Sequence, residues 1–219
     1  EFADKGFHAA TVRQICSRAK ANVAAVKYHF GGKEQLYAAA LDFWKDAATL
    51  KHPLPRGDAA STSPRQKLRV FVRTVLMRML DPGRPTWHGK LMAREMAEPT
   101  GYIEGHVQKF IKPMSDRLLS ILRETLGNEV PEPQLRLAAA SVIGQALFYV
   151  HCSAVIERLH WKSPATPAEI EQLADHIVRF SLAGLRAMET DETPHANGKR
   201  PLAKKQQRIA RARTREASR

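Results

Sequence analysis

Apolar residues recur along this chain at helical spacing, and the alternation that marks a β-strand is absent. Near the start, Val12, Ile15, Cys16 and Ala19 fall on one face of a short helix, and Thr11 with Gln14 forms a capping box that opens it. Lys20 and Ala21 make a brief connector. Asn22 is a suitable N-cap for a second short helix ending near Phe30, where Gly31-Gly32 breaks the chain. In this pairing Ile15, Cys16 and Ala19 are expected to face Val26 and Phe30. That leaves Val23, Ala24, Ala25, Lys27 and Tyr28 outward. A longer helix follows from about Lys33 to Leu50.

Residues 51–64 are rich in Pro, Ser and Ala and predict a flexible loop. Further helices are expected over 65–80, over 86–97 after the turn "DPGRP", and over 100–126, where Pro113 predicts a kink. A single helix is expected over 133–160. The last one opens with Thr166 as cap, Pro167 at the first helical position and Glu169 at the third, and runs to about Met188. The fold class predicted is all-α. An N-terminal helix-turn-helix unit occupies residues 1–50, and a larger helical domain occupies 65–189. Residues 190–219, with few apolar side chains, form a basic tail expected to be disordered.

Charge changes the picture. The chain of 219 residues carries a net charge of +13, which points to an acidic partner such as nucleic acid. The charge is uneven: residues 199–219 hold nine basic residues against Glu216, so the tail supplies +8 and the rest only +5. Cys16 and Cys152 lie far apart in apolar helical patterns and are expected to be buried free thiols, with no disulfide and no metal site. No membrane span or signal peptide is visible, and a cytoplasmic location is expected. The chain begins at Glu1 without Met. "EFADKGF" is the end of a helix closed by Gly6, which suggests a truncated chain or a misplaced start. The glycine-rich phosphate loops, nucleophile elbows and paired-histidine metal motifs of common enzymes are missing, so catalysis and cofactors are not expected.

The short paired helices suit DNA. Small side chains at the start of the second helix allow close approach in a major groove, while Lys27, Tyr28 and His29 offer donors to phosphate oxygens. The stretch from Ala10 to Leu41, "ATVRQICSRAKANVAAVKYHFGGKEQLYAAAL", resembles the DNA-binding domain of the TetR family of transcriptional regulators. It has the T-x-R-x-I opening, the Y-H-F close and the G-x-K-E-x-L entry to the next helix. In the larger domain "REMAEPT", "FIKP" and "GQALFY" are similar to the CecR-like branch. The resemblance implies a homodimer that reads a palindromic double-stranded DNA operator, more in the manner of a repressor than an activator. It also implies release by a small-molecule effector. Carried over by position, it assigns DNA contacts to Thr11, Arg13, Asn22, Val23, Ala25, Lys27, Tyr28, His29 and Lys33. Lys20-Ala21 departs from the usual Gly-Val of the turn, and the first helix is largely missing.

The larger domain has two candidate surfaces. Residues 135–150 are apolar nearly all round, with Ala139, Ala140, Gly144 and Ala146 permitting close approach. With the final helix they are expected to form the dimer interface as a four-helix contact. Trp87, His88, Met92, Arg94, Tyr102, His106, Phe110, Phe148 and His151 mix aromatic and polar groups and form the candidate effector pocket. A different reading is a helical ligand-binding or dimerisation protein without specific DNA binding, whose basic tail holds nucleic acid irrespective of sequence.

Overall fold

A computed structural model describes residues 1–54, 63–127 and 129–190. The central part of the expected flexible loop, residues 55–62, and the basic tail from 191 onward lie outside the described residues. So does the expectation that the tail is disordered. The described residues are helical, with no strand among them. In chain order the helices are α1 (Phe2–Ala9), α2 (Val12–Ala19), α3 (Val23–Phe30), α4 (Lys33–Lys51), α5 (Pro64–Leu80) and α6 (Thr86–Ala97). They continue with α7 (Ile103–His106), α8 (Lys112–Leu126), α9 (Glu132–His151), α10 (Ser153–Arg158) and α11 (Pro167–Thr190). Glu1–Leu185 packs as one unit, and a second begins at Arg186, inside α11. Among the described residues no helix is long and apolar enough to cross a membrane.

The helix starts follow their caps. Thr11–Gln14 and Ser63–Gln66 are complete capping boxes. At α11 the Thr166 hydroxyl accepts from the Glu169 amide at 3.3 Å, and the Glu169 carboxylate accepts in return from the Thr166 amide at 3.0 Å. The core of the larger domain is built by apolar faces of α5 (Leu68, Phe71, Leu76), α8 (Leu118, Ile121, Leu122), α9 (Leu135, Val142) and α11 (Ile170, Ile177). Arg69 and Arg73 on α5 pair with Asp175 and Glu171 on α11 along the edge of this packing.

Three elements differ from expectation. The helix through Pro113 does not simply kink. Val107–Ile111 widens into a π-helical turn between α7 and α8, with the Lys112 amide donating to the Val107 carbonyl five residues back. A wide turn just before the proline makes room for its ring, which cannot donate to the preceding turn. The helix expected over 133–160 breaks at Cys152 (φ −105°, ψ 19°), and α10 starts anew from its carbonyl. Buried Ile156 keeps the apolar spacing across the break, so periodicity alone reads one helix. Ala19 and Phe30, expected to be inside, are both exposed. Each is the last residue of its helix, beyond the reach of the α2–α3 contact that Cys16 and Val26 make. Cys16 is buried as expected, whereas Cys152 is only half-buried.

The N-terminal helices join the larger domain through one aromatic core. Phe2, Ala10, Tyr37, Leu41, Leu91 and Met92 are buried together across α1, α4 and α6. The Tyr37 ring lies 4.9 Å from Phe2, 5.1 Å from Phe7 and 5.8 Å from Tyr102. Gly6 interrupts α1 at φ 79°, ψ 173°, a conformation only glycine adopts readily, and a Cβ there would sit 3.2 Å from the Arg94 guanidinium.

Candidate DNA interface and effector region

The helix-turn-helix is assembled by local chemistry. α2 ends where Lys20 enters the left-handed region (φ 52°, ψ 38°), and the Ala21 amide closes the turn on the Cys16 carbonyl at 2.9 Å. A lysine therefore occupies the position the family commonly gives to glycine, at a cost of about 1–2 kcal/mol. The Cys16 thiol donates to the Asn22 carbonyl at 3.7 Å. Asn22 Oδ1 then accepts from the Ala24 amide at 2.8 Å and starts α3. Val26 anchors α3 inward, and Gly31 ends it at φ 87°.

The remaining faces are open. Thr11, Arg13, Asn22, Val23, Lys27, Tyr28 and His29 are exposed, and Ala25 is half-buried. Tyr28 is 85% exposed, its ring edge-on to His29 at 4.9 Å, which excludes a core role for the phenol in this structure. Among the described residues Arg13 and Lys27 have no carboxylate in ion-pairing range, whereas Arg18 has Glu1 and Asp4 at 3.5 Å. Lys33 is placed differently. Its ammonium donates to the His8 carbonyl at 3.3 Å and lies 4.6 Å above the Phe7 ring, so it ties α4 to α1.

The nine residues grouped as a candidate effector pocket separate into distinct roles. Met92 and Tyr102 pack in or against the junction core. Arg94 donates to the Asp4 carbonyl at 3.3 Å and holds α1. Trp87 is exposed and meets Phe43 at 5.4 Å; Phe148 lies 6.5 Å from Trp161. His106 pairs with Asp42 at 3.1 Å, and the Lys45 ammonium lies 3.5 Å above Phe110. His106 also meets the Phe110 ring at 5.0 Å, and His88 meets Trp87 at 5.7 Å and is held by Arg84. The Arg84 guanidinium donates to His88 Nδ1 at 3.4 Å and to the Met79 carbonyl at 3.2 Å. His88 Nε2 lies 3.0 Å from the Leu41 carbonyl. With Nδ1 accepting, Nε2 carries the hydrogen, and the ring is a neutral imidazole. Burial, then the Arg84 and His106 charges, hold the His88 pKa below its ordinary value despite the Leu41 contact. His151 is lowered by partial burial and by the Arg84 cation. A separate open recess is lined by Asp116, Leu119, Ser120, Arg123, Glu124 and Glu132 and contains none of the predicted residues.

The motif "REMAEPT" stands out in the sequence without revealing its function. Within it, Glu95 is fully buried and accepts from the Tyr37 hydroxyl at 2.5 Å, the Thr100 amide at 2.9 Å and the Thr100 hydroxyl at 2.8 Å. Arg94 and Glu95 thus clamp α6 to α1 and α4. Tyr37, Glu95 and Thr100 are not legible as a cluster because 58 residues separate the first two. Arg84, for its part, reads in the sequence only as part of a turn.

Residues 1–40 match the family of bacterial regulatory proteins, tetR family, and residues 64–185 match the C-terminal domain of the HTH-type transcriptional dual regulator CecR. A curated relative, the HTH-type transcriptional dual regulator CecR of Shigella flexneri, is 24% identical over 171 residues, covering 74% of this chain and 76% of that protein. Among solved structures, the TetR family transcriptional regulator PfmR from Thermus thermophilus aligns with a TM-score of 0.54 at 19% identity, over 83% of this chain and 92% of that one. AibR in complex with isovaleryl coenzyme A and operator DNA aligns with a TM-score of 0.57 at 20% identity, over 82% and 90%. These structures share the fold: an N-terminal helix-turn-helix followed by a helical domain. The matched families are regulators rather than enzymes. The chain belongs to the TetR family of transcriptional regulators, in its CecR-like branch.

Proposed function

We propose that this regulator is a homodimeric, effector-released repressor that reads a palindromic operator through α2 and α3. The observation that carries the reading is the open face of α3, where Val23, Lys27, Tyr28 and His29 are exposed after the Asn22 cap and, among the described residues, Lys27 has no carboxylate partner. Thr11, Arg13, Val23, Ala25, Lys27, Tyr28 and His29 face the duplex. Arg13 reads a base edge, and Lys27, Tyr28 and His29 hold phosphates. Lys33 lies at the margin and contributes once its ammonium leaves the His8 carbonyl. Residues 1–50 form the DNA-reading domain and 65–189 the effector and dimer domain, and the protein works in the cytoplasm where its operator is.

Dimerisation uses α9 and α11. Leu137, Ala140, Ser141 and Gly144 form an exposed stripe on α9, and His176, Phe180 and Gly184 form one on α11. Leu137 is 68% exposed and Phe180 65%, which fits faces that a second copy covers. The effector acts from within the larger domain, through the α4–α6 junction that Glu95 and Tyr37 close. The Shigella flexneri relative is named a dual regulator. That name leaves room for activation at some promoters, but repression is the simpler outcome of an operator-bound dimer.

The test is a fluorescence titration of the full chain against duplex DNA at rising salt, beside Arg13→Ala and Lys27→Ala. Lys27→Ala should weaken binding evenly across sequences and reduce the salt slope by about 0.9 per lost phosphate contact. Arg13→Ala should also flatten the preference among sequences. Wild-type binding without sequence preference, abolished by removing residues 199–219, would support tail-driven binding instead.

A further inference from the structure

We propose that the π-helical turn Val107–Ile111 is a two-register element whose state sets the grip of the larger domain on α4. The inference rests on the reading that residues 65–189 govern the DNA-reading helices, and it names the moving part and its contacts. The wide turn holds one residue more than an α-helix would, with the Lys112 amide donating to the Val107 carbonyl. Such turns are rare and recur at functional sites. Pro113 follows directly. It has no amide hydrogen, and in a regular α-helix its ring would press on the carbonyl of Lys109, four residues back. The proline therefore favours the wide register.

The two flanks of the turn are held unequally. α8 is fixed in the core by Leu118, Ile121 and Leu122, whereas α7 and the wide turn bury no residue. Closing the turn to an α-helix must therefore move the α7 side, by about 100° of rotation and about 1.5 Å of travel for one residue. That side is the one that touches α4. His106 Nδ1 lies 3.1 Å from Asp42 Oδ1, and the Lys45 ammonium lies 3.5 Å above the Phe110 ring. Asp42 and Lys45 are three residues apart and so neighbours on the surface of α4, and the His106 and Phe110 rings meet at 5.0 Å. A histidine–carboxylate contact and a cation–π contact thus hold one face of α4 in one register. A change of register breaks both together. α4 starts at Lys33, directly after α3, so a hold on its middle bears on how α3 is presented. The Tyr37–Glu95 bond ties α4 to α6 nearer that start, and the wide turn is a second, separate hold.

The experiment is hydrogen exchange of the full chain, read by mass spectrometry over residues 38–49 and 103–113, beside Pro113→Ala. The substitution returns the missing donor and removes the ring. Exchange over 103–113 should slow as α-helical bonds form, and exchange over 38–49 should rise as α4 loses its two contacts. Unchanged exchange over 38–49 overturns the proposal, whether or not 103–113 slows. Affinity of Pro113→Ala for a duplex recovered from a random DNA pool should differ from wild type by at least about fivefold, the lower end for coupled sites. A difference within about twofold overturns the proposal. Asp42→Asn with Lys45→Met removes the grip directly, and in that background Pro113→Ala should change affinity by less than about twofold; additive effects overturn the proposal. Wild type carries its own test, because linkage is reciprocal: saturating duplex should alter exchange over 103–113. No change there overturns the proposal even where a variant fails to fold. A wild-type chain that selects no duplex refutes the parent reading instead, and the exchange of Pro113→Ala over 38–49 then decides the wide turn alone.

Discussion

Replacing Tyr37 with Phe removes one oxygen from the junction between the DNA-reading helices and the larger domain. The ring contacts with Phe2, Phe7 and Tyr102 remain. Buried Glu95 loses the donor that approaches its Oε2 at 2.5 Å and keeps the Thr100 hydroxyl, at 3.0 Å from Oε2 and 2.8 Å from Oε1. A hydrogen bond to a charged, buried acceptor is worth about 1.5–3 kcal/mol. Tyr37→Phe should lower the unfolding free energy by that amount, seen as a lower urea midpoint at unchanged m, and Tm by about 3–12 °C. Tyr102→Phe, which keeps the same ring packing and removes no phenol–carboxylate bond, should stay within about 0.5 kcal/mol. The pH dependence adds a sign. Burial, then the Glu95 contact, raise the Tyr37 pKa well above its ordinary value. A raised pKa contributes stability below the unfolded value near 10 and loses it as pH rises further. The gap between wild type and Tyr37→Phe should therefore shrink above about pH 10. Equal stability of the two proteins at neutral pH, or a gap that widens in alkali, would refute the reasoning.

Other consequences follow from single sites. Lys20→Gly relieves a left-handed lysine worth about 1–2 kcal/mol but adds about 0.5–1 kcal/mol of unfolded-state entropy, so a net gain of up to about 1.5 kcal/mol, and no loss, is expected in urea unfolding. Asn22→Ala removes the cap of α3 and should cost about 1 kcal/mol in the same assay. For Asp81, burial raises the carboxyl, but hydrogen bonds from Lys51, His52 and the Gly83 amide outweigh it and hold the pKa at about 2. Its stabilisation is present above the unfolded value near 3.9 and fades toward pH 2, so Asp81→Asn should flatten acid unfolding across that window. Phe180→Asp on the exposed face of α11 should shift a dimer to monomer in sedimentation while the helical circular dichroism stays unchanged.

What the sequence made legible was local. Caps and breakers placed Thr11, Asn22, Gly31 and Thr166 correctly, because each acts within a turn of its own position. The helix-turn-helix could be read for the same reason. The break at Cys152 left no trace, since Ile156 preserved the apolar rhythm, and the π-helical turn before Pro113 looked like an ordinary kink. The effector region was least legible. Composition picks out aromatic and imidazole side chains, yet only the tertiary arrangement distinguishes Met92, buried in the junction, from His88, buried against a cation. Arg84 drew no attention because a turn arginine is ordinarily solvated, and here packing took it half out of water.

The central claim is that α2 and α3 read a specific sequence. Selection of bound duplexes from a random DNA pool, using the full chain, tests it most directly. The expected result is one enriched palindrome with half-sites about one turn of DNA apart or slightly more, about 34 Å or beyond, and loss of its enrichment in Arg13→Ala. A pool that emerges without any enriched motif, while still bound through residues 199–219, would contradict it.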